Sequence, residues 1–223
     1  MFVKICGVTT VDDALLAAGL GADAIGVNFV PSSKRFVEPD AARGLVRPLP
    51  PKVLSVGVFR DHPRDEVVAT AVSVGLDAVQ LHGHESPEDT AWVAERIPRV
   101  IKVFAATDPG LADADRFPAR LMIDAPTPGG GQVFDWAVLD DAPFHRPFVL
   151  AGGLGPDNVA DAIRTVRPWG VDVATGVESS PGRKDATLIR RFVTAARSVP
   201  AVRRDDFDLD DDGSIFDWED NPA

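Results

Sequence analysis

Short apolar runs alternate with helix-length amphipathic stretches along nearly the whole chain. The runs are FVKI (2–5), AIGVNF (24–29), VLSVGVF (53–59), AVQL (78–81), VIKVF (100–104), RLMID (120–124), PFVLAGG (147–153) and VDVATG (171–176). They read as continuous apolar stretches instead of a period-two alternation, which is the pattern of strands covered on both faces in a parallel sheet. Between them TTVDDALLAAGL, PRDEVVATAVSV, SPEDTAWVAERI, GPDNVADAIRTV and ATLIRRFVTAAR place apolar side chains at helical spacing. One phrase recurs, as GADAIGV at 21, GLDAVQL at 75 and GVDVATG at 170. In each copy a glycine caps a helix and a buried strand follows. Eight strands, each followed by a helix or a helix-length connection, predict an α/β chain folded as a single (β/α)8 TIM barrel. A doubly wound open sheet is the competing architecture.

Length and charge refine this picture. The 223 residues exceed the usual size of one domain, about 150, but closed α/β barrels run to about 250 as one unit. The net charge is −11, and residues 205–223, DDFDLDDDGSIFDWEDNPA, contribute nine acidic and no basic side chains. Only −2 is left for the rest. The reading is a catalytic barrel over residues 1–202 and a solvated, flexible acidic tail over 203–223. An acidic balance argues against a nucleic-acid surface, which needs Lys and Arg in excess. Nothing before Phe2 reads as a targeting segment, and no apolar run approaches the roughly 18 residues needed to span a bilayer. A cytoplasmic protein with no membrane partner is expected, as a monomer or homodimer.

A barrel directs attention to the C-terminal ends of its strands, where the chemistry of this fold resides. Cys6, Arg35, Gln80, His82, Asp124, Gly152, Gly153, Asp172 and Gly176 all fall on that rim. Cys6 is the only cysteine, so it forms no intrachain disulfide; it is either a small buried hydrophobe or a reactive thiol. Two glycine-bearing turns, AGGLGPDNV leading to a helix near Pro156 and ATGVESSPGRKD after the eighth strand, suit a phosphate. Glycine permits close backbone approach, and a helix N-terminus favours an anion. Gly152, Gly153, Thr175, Gly176 and Val177 are the phosphate-facing positions; two tight turns without a ligand are the alternative. Arg183 and Lys184 read as surface or helix-start charges. The histidines of HGHE (82–85) are two apart on a turn without further ligands, so no metal is expected.

KICGVT (4–9), SKRFV (33–37), VQLHG (79–83), MIDA (122–125), GGGQVFDW (129–136), LAGGLGPDNV (150–159) and GVDVATGVESSPGRKD (170–185) together resemble phosphoribosylanthranilate isomerase of tryptophan biosynthesis. The likeness spans the barrel in order and spacing and excludes the tail. It implies an Amadori rearrangement of N-(5-phosphoribosyl)anthranilate to 1-(2-carboxyphenylamino)-1-deoxyribulose 5-phosphate, with Cys6 as general base and Asp124 as general acid. It also implies Arg35 for the anthranilate carboxylate, Asp172 for sugar hydroxyls, Gln80 and His82 in the pocket lining, a small phosphorylated substrate and no cofactor.

Such a base needs its thiol lowered from an ordinary value near 8.5, and such an acid must keep a proton against a reference near 3.9. Lys4 shares the parity of Cys6 and is placed to point the same way. The loop APTPGGGQVFDW (125–136) suits a cover over a flat ring, or an ordered turn that does not close. Ala174 and Thr175 stand where the family often has two serines, which removes one possible phosphate contact. Two other readings compete: another phosphosugar isomerase or epimerase, and a non-catalytic phosphosugar-binding barrel.

Overall fold

The computed structural model describes residues 1–126, 134–139 and 146–200. Eight strands, β1 (Phe2–Ile5), β2 (Ala24–Asn28), β3 (Leu54–Phe59), β4 (Ala78–Leu81), β5 (Val100–Ala105), β6 (Arg120–Asp124), β7 (Phe148–Leu150) and β8 (Gly170–Val173), pair in chain order and close into a barrel. Every pairing is parallel. The β1–β8 seam sets Lys4 against Asp172 and Ile5 against Val173, so the open-sheet alternative is excluded. All eight strands fall on the eight predicted apolar runs.

Helices α1 (Val11–Gly19), α2 (Pro39–Val46), α3 (Arg64–Val74), α4 (Pro87–Ala94), α5 (Val159–Val166) and α6 (Ala186–Ser198) follow β1–β4, β7 and β8. Side-chain caps start three of them. Thr10 accepts from Asp13 N at 3.2 Å, Ser86 from Asp89 N at 3.0 Å, and Asp185 from Thr187 N and Leu188 N at 2.8 and 3.0 Å. After β5 and β6 the described connections are 3-10 turns instead, Pro109–Arg116 and Trp136–Leu139. In the first, Asp108 accepts from Gly110 N at 2.7 Å, and short polar residues of this kind compete with a regular helix.

Three further expectations are corrected. The helix after β7 begins at Val159, not near Pro156, because Asn158 ties down the preceding turn: it accepts from Gly155 N at 2.8 Å and donates to Gly153 O at 3.0 Å. Of the three repeated glycines, Gly21 (φ 99°) and Gly75 (φ 81°) turn left-handed at helix ends, but Gly170 is a strand residue packed on Phe2, and Arg167 (φ 53°) caps α5. Residues read as a plain turn after β8 form a hairpin, β9 (Glu178–Ser180) with β10 (Arg183–Lys184), turned at Gly182.

The barrel interior is apolar at its N-terminal end. Ala24, Val56, Ala78, Ile101, Met122 and Val149 pack there, beneath a plug of Phe2 stacked on Trp169 with centroids 4.7 Å apart. A larger shell that includes Ile5, Ile25, Leu45, Leu81, Ile163 and Phe192 joins strands to helices. Among the described residues no helix is long and apolar enough to cross a membrane. The acidic tail, with the domain limit at 202, and most of the candidate cover after β6 lie outside the described residues.

Candidate active site

Side-chain alternation on β1 sends Phe2, Lys4 and Cys6 into the barrel, and on β8 it sends Gly170 and Asp172. Lys4 is fully buried and its Nζ donates to Asp172 Oδ1 at 2.8 Å. Gly26 on β2 makes room for this group: a Cβ there would lie 2.8 Å from Cys6 Sγ and 3.2 Å from Lys4 Nζ. The Cys6 N–H donates to Val173 O at 2.8 Å, and the residue keeps 9 % of its surface exposed at the edge of the mouth.

The charges around the thiol oppose one another. Burial pushes the Cys6 thiol up; Lys4 and Lys184 pull it down, Asp172 adds to the rise, and burial prevails. The expectation of a thiol lowered by its surroundings is therefore corrected: the lysines limit the rise without reversing it. For Lys4, burial acts to lower the value, but Asp172 and Cys6 together raise it above the ordinary lysine range.

Asp124 ends β6, buried, with Oδ1 accepting from Ala125 N at 2.8 Å. Its Oδ2 lies 3.4 Å from His82 Nε2, and Gln80 Nε2 is 3.1 Å from His82 Nδ1. Gln80 Oε1 and His82 Nε2 are buried without a hydrogen-bond partner among the described residues. His84 points away, exposed, against Asp61 at 3.2 Å. Among the described residues no three His, Cys, Asp or Glu side chains are grouped to hold a metal ion.

The two glycine turns meet. A Cβ on Gly152 (φ 90°) would collide with the Ala125 backbone, and one on Gly176 with Leu154 O, so both positions are open only to glycine. Gly153 is likewise left-handed, at φ 66°. Thr175–Val177 is a single 3-10 turn, and the first N–H groups of such a turn lack intrahelical partners. The two turns thus lie against each other at the ends of β7 and β8, and Ala174 brings no hydroxyl to them.

Arg35 is brought to the same place. It crosses Gly7, where a Cβ would collide with its Cδ, and its Nε and Nη2 each donate to Glu178 at 2.7 Å, with Nη2 also 3.1 Å from Thr175 Oγ1. Glu178 thus takes the Nε–Nη2 edge of the guanidinium.

Sequence reasoning misplaced Lys184 and missed Glu178. Lys184 is no surface charge: it is buried, and its Nζ donates to Cys6 O at 2.6 Å, Ala174 O at 3.1 Å and Glu178 Oε1 at 3.0 Å. The unforeseen hairpin turns it inward, whereas Arg183 remains exposed as expected. A second missed pair braces the loop that carries His82: Lys102 Nζ donates to Glu85 Oε2 at 2.7 Å and to Gly83 O at 2.6 Å.

A closed parallel barrel with a buried thiol, a buried carboxyl and two glycine turns gathered at its C-terminal mouth has the architecture of the (β/α)8-barrel enzymes. The family model described as N-(5′-phosphoribosyl)anthranilate isomerase matches residues 3–195. The chain belongs to this family, and it is an isomerase of tryptophan biosynthesis. It is 46 % identical over 202 residues to the N-(5′-phosphoribosyl)anthranilate isomerase of Desulforudis audaxviator, covering 88 % of this chain and 98 % of that one. The crystal structure of the Thermotoga maritima isomerase superposes with a TM-score of 0.83 at 41 % identity, over 89 % of this chain and 100 % of that one. Another, at 0.80 and 39 % with the same coverage, is a phosphoribosylanthranilate isomerase in complex with reduced 1-(o-carboxyphenylamino)-1-deoxyribulose 5-phosphate.

Proposed function

We propose that this chain rearranges N-(5′-phosphoribosyl)anthranilate to the corresponding 1-deoxyribulose 5-phosphate with Cys6 and Asp124 as its proton-transfer pair. Asp124 gives a proton to the ring oxygen as the C1–O bond breaks, and the anthranilate nitrogen lone pair forms the C=N bond of an iminium. The Cys6 thiolate then takes the proton from C2. The released electron pair forms C1=C2, and the iminium π pair returns to nitrogen. Moving the enol proton from oxygen to C1 gives the ketone. The carrying observation is that Cys6 and Asp124 close β1 and β6 at the same end of the barrel, on either side of the glycine turns after β7 and β8.

The remaining residues take positions around that pair. The turns at Gly152, Gly153 and Thr175–Val177 receive the phosphate. Arg35, preset by Glu178, receives the anthranilate carboxylate on its outer edge. Asp172, with Oδ1 on Lys4, offers its second oxygen to a sugar hydroxyl, and Gln80 with His82 lines the side next to Asp124.

The test is turnover of substrate generated in situ and followed by loss of its fluorescence. Cys6→Ser and Asp124→Asn should each slow kcat by about 10²–10⁴. Wild-type rates in both variants would sink the assignment.

A further inference from the structure

Lys184 is a buried cation next to Cys6 that the proton-transfer scheme does not use. It comes from β10, outside the barrel sheet, yet its ammonium sits between the ends of β1 and β8. Three hydrogen bonds fix it, to the carbonyl of Cys6 itself, to the carbonyl of Ala174 that opens the phosphate turn, and to Glu178. Glu178 is shared with Arg35, so one carboxylate holds both cations. Burial acts to raise Glu178, but Arg35 and Lys184 hold its carboxyl below the usual range.

We propose that Lys184 is a positioning residue for the isomerisation: anchored by Glu178, it fixes the Cys6 main chain beside the phosphate turn and supplies buried positive charge to the Cys6 thiolate. The proposal rests on Cys6 being the base.

The charged groups facing Cys6 come from each element packed around it: Lys4 on β1, Asp172 on β8, Lys184 on β10 and Arg35 in the loop after β2, with Glu178 behind the last two. Lys4 is already committed to Asp172. Burial pulls Lys184 below the ordinary lysine range, while Glu178 and Cys6 act to raise it. Removing Lys184 withdraws a cation and also frees negative charge on Glu178. Both changes disfavour the thiolate, and an opposite charge within about 4–6 Å is worth about one pH unit or more.

The sequence makes the measurement clean, because the chain has one cysteine and no tyrosine. Ultraviolet absorbance on alkaline titration, taken as a difference against Cys6→Ser, reports this thiolate alone. Lys184→Met should raise its midpoint by about one unit, lower kcat/KM at neutral pH about tenfold, and shift the rising limb of the activity profile by the same amount. Lys184→Met/Glu178→Gln leaves no orphaned carboxylate and guards against a variant that fails to fold; its midpoint should rise by less than in Lys184→Met, because the more distant Glu178 charge leaves with the cation. A midpoint unmoved in the double variant, with a cooperative melt, overturns the proposal whatever happens to the rate. If Cys6→Ser retained full activity, the assignment of the base would fail, whereas the absorbance midpoint would still decide whether Lys184 serves the thiol.

Discussion

The two ends of the barrel interior are built from the same strands on opposite principles. On β1 the inward row runs Phe2, Lys4, Cys6; on β4, Ala78 then Gln80; on β6, Arg120 laid over the Trp169 ring, then Met122 and Asp124; on β8, Gly170 then Asp172. Within one step along each strand an apolar position gives way to a polar or charged one. The lower end resembles any protein core and gains from packing. At the upper end the fully buried Lys4 is tolerable only because Asp172 and the thiol lie beside it, since an unpaired buried charge costs several kcal/mol. In this fold the N-terminal face carries stability and the C-terminal face chemistry, and here the boundary falls between one inward residue and the next.

Mutations at the two ends should therefore separate activity from stability. The largest expected effect is the loss of about 10²–10⁴ in kcat for Cys6→Ser or Asp124→Asn, with a melting temperature close to wild type. Lys4→Met comes next: stranding Asp172 should cost about 3–5 kcal/mol in denaturant unfolding, and Lys4→Met/Asp172→Asn should recover part of that. If the double variant were no more stable than the single one, the pair would not be what makes a buried Lys4 tolerable. Phe2→Ala, at the apolar end, should cost about 3 kcal/mol by loss of packing on Trp169, yet leave kcat within twofold at a temperature where the variant is folded. A drop in kcat comparable to that of Asp124→Asn would erase the distinction between the ends.

The apolar end was the more legible in the sequence. Eight apolar runs became eight strands because continuous burial on both faces leaves a pattern that neighbours in space do not alter. The mouth was legible at Cys6, Asp124 and the glycine turns, where a strand end or a glycine marks the place directly. It was illegible at Lys184 and Glu178. Their roles depend on a two-strand hairpin held by an irregular register, and no periodicity signals so short an element. The thiol also misled: the role of a base called for a lowered value, whereas the depth of burial that outweighs Lys4 and Lys184 is a property of the closed barrel.

That burial predicts the shape of the pH profile. The base must be ionised to take the proton, so at pH values under the thiol midpoint the active fraction falls tenfold per unit, about 1.4 kcal/mol of barrier for each. Burial raises the midpoint above the ordinary thiol range, so kcat/KM should climb with a slope near one through neutral pH and level off only on the alkaline side. Lys4 does not lose its charge first, because Asp172 and Cys6, overcoming the effect of burial, hold it above the ordinary lysine range. Replacing Phe2 at the far end should leave this limb in place, and replacing Lys4 should move it to higher pH, since the cation nearest the thiol is gone. A limb that stayed fixed in Lys4→Met, or a profile flat through neutral in the wild type, would mean that the proton on C2 is taken by a group other than Cys6.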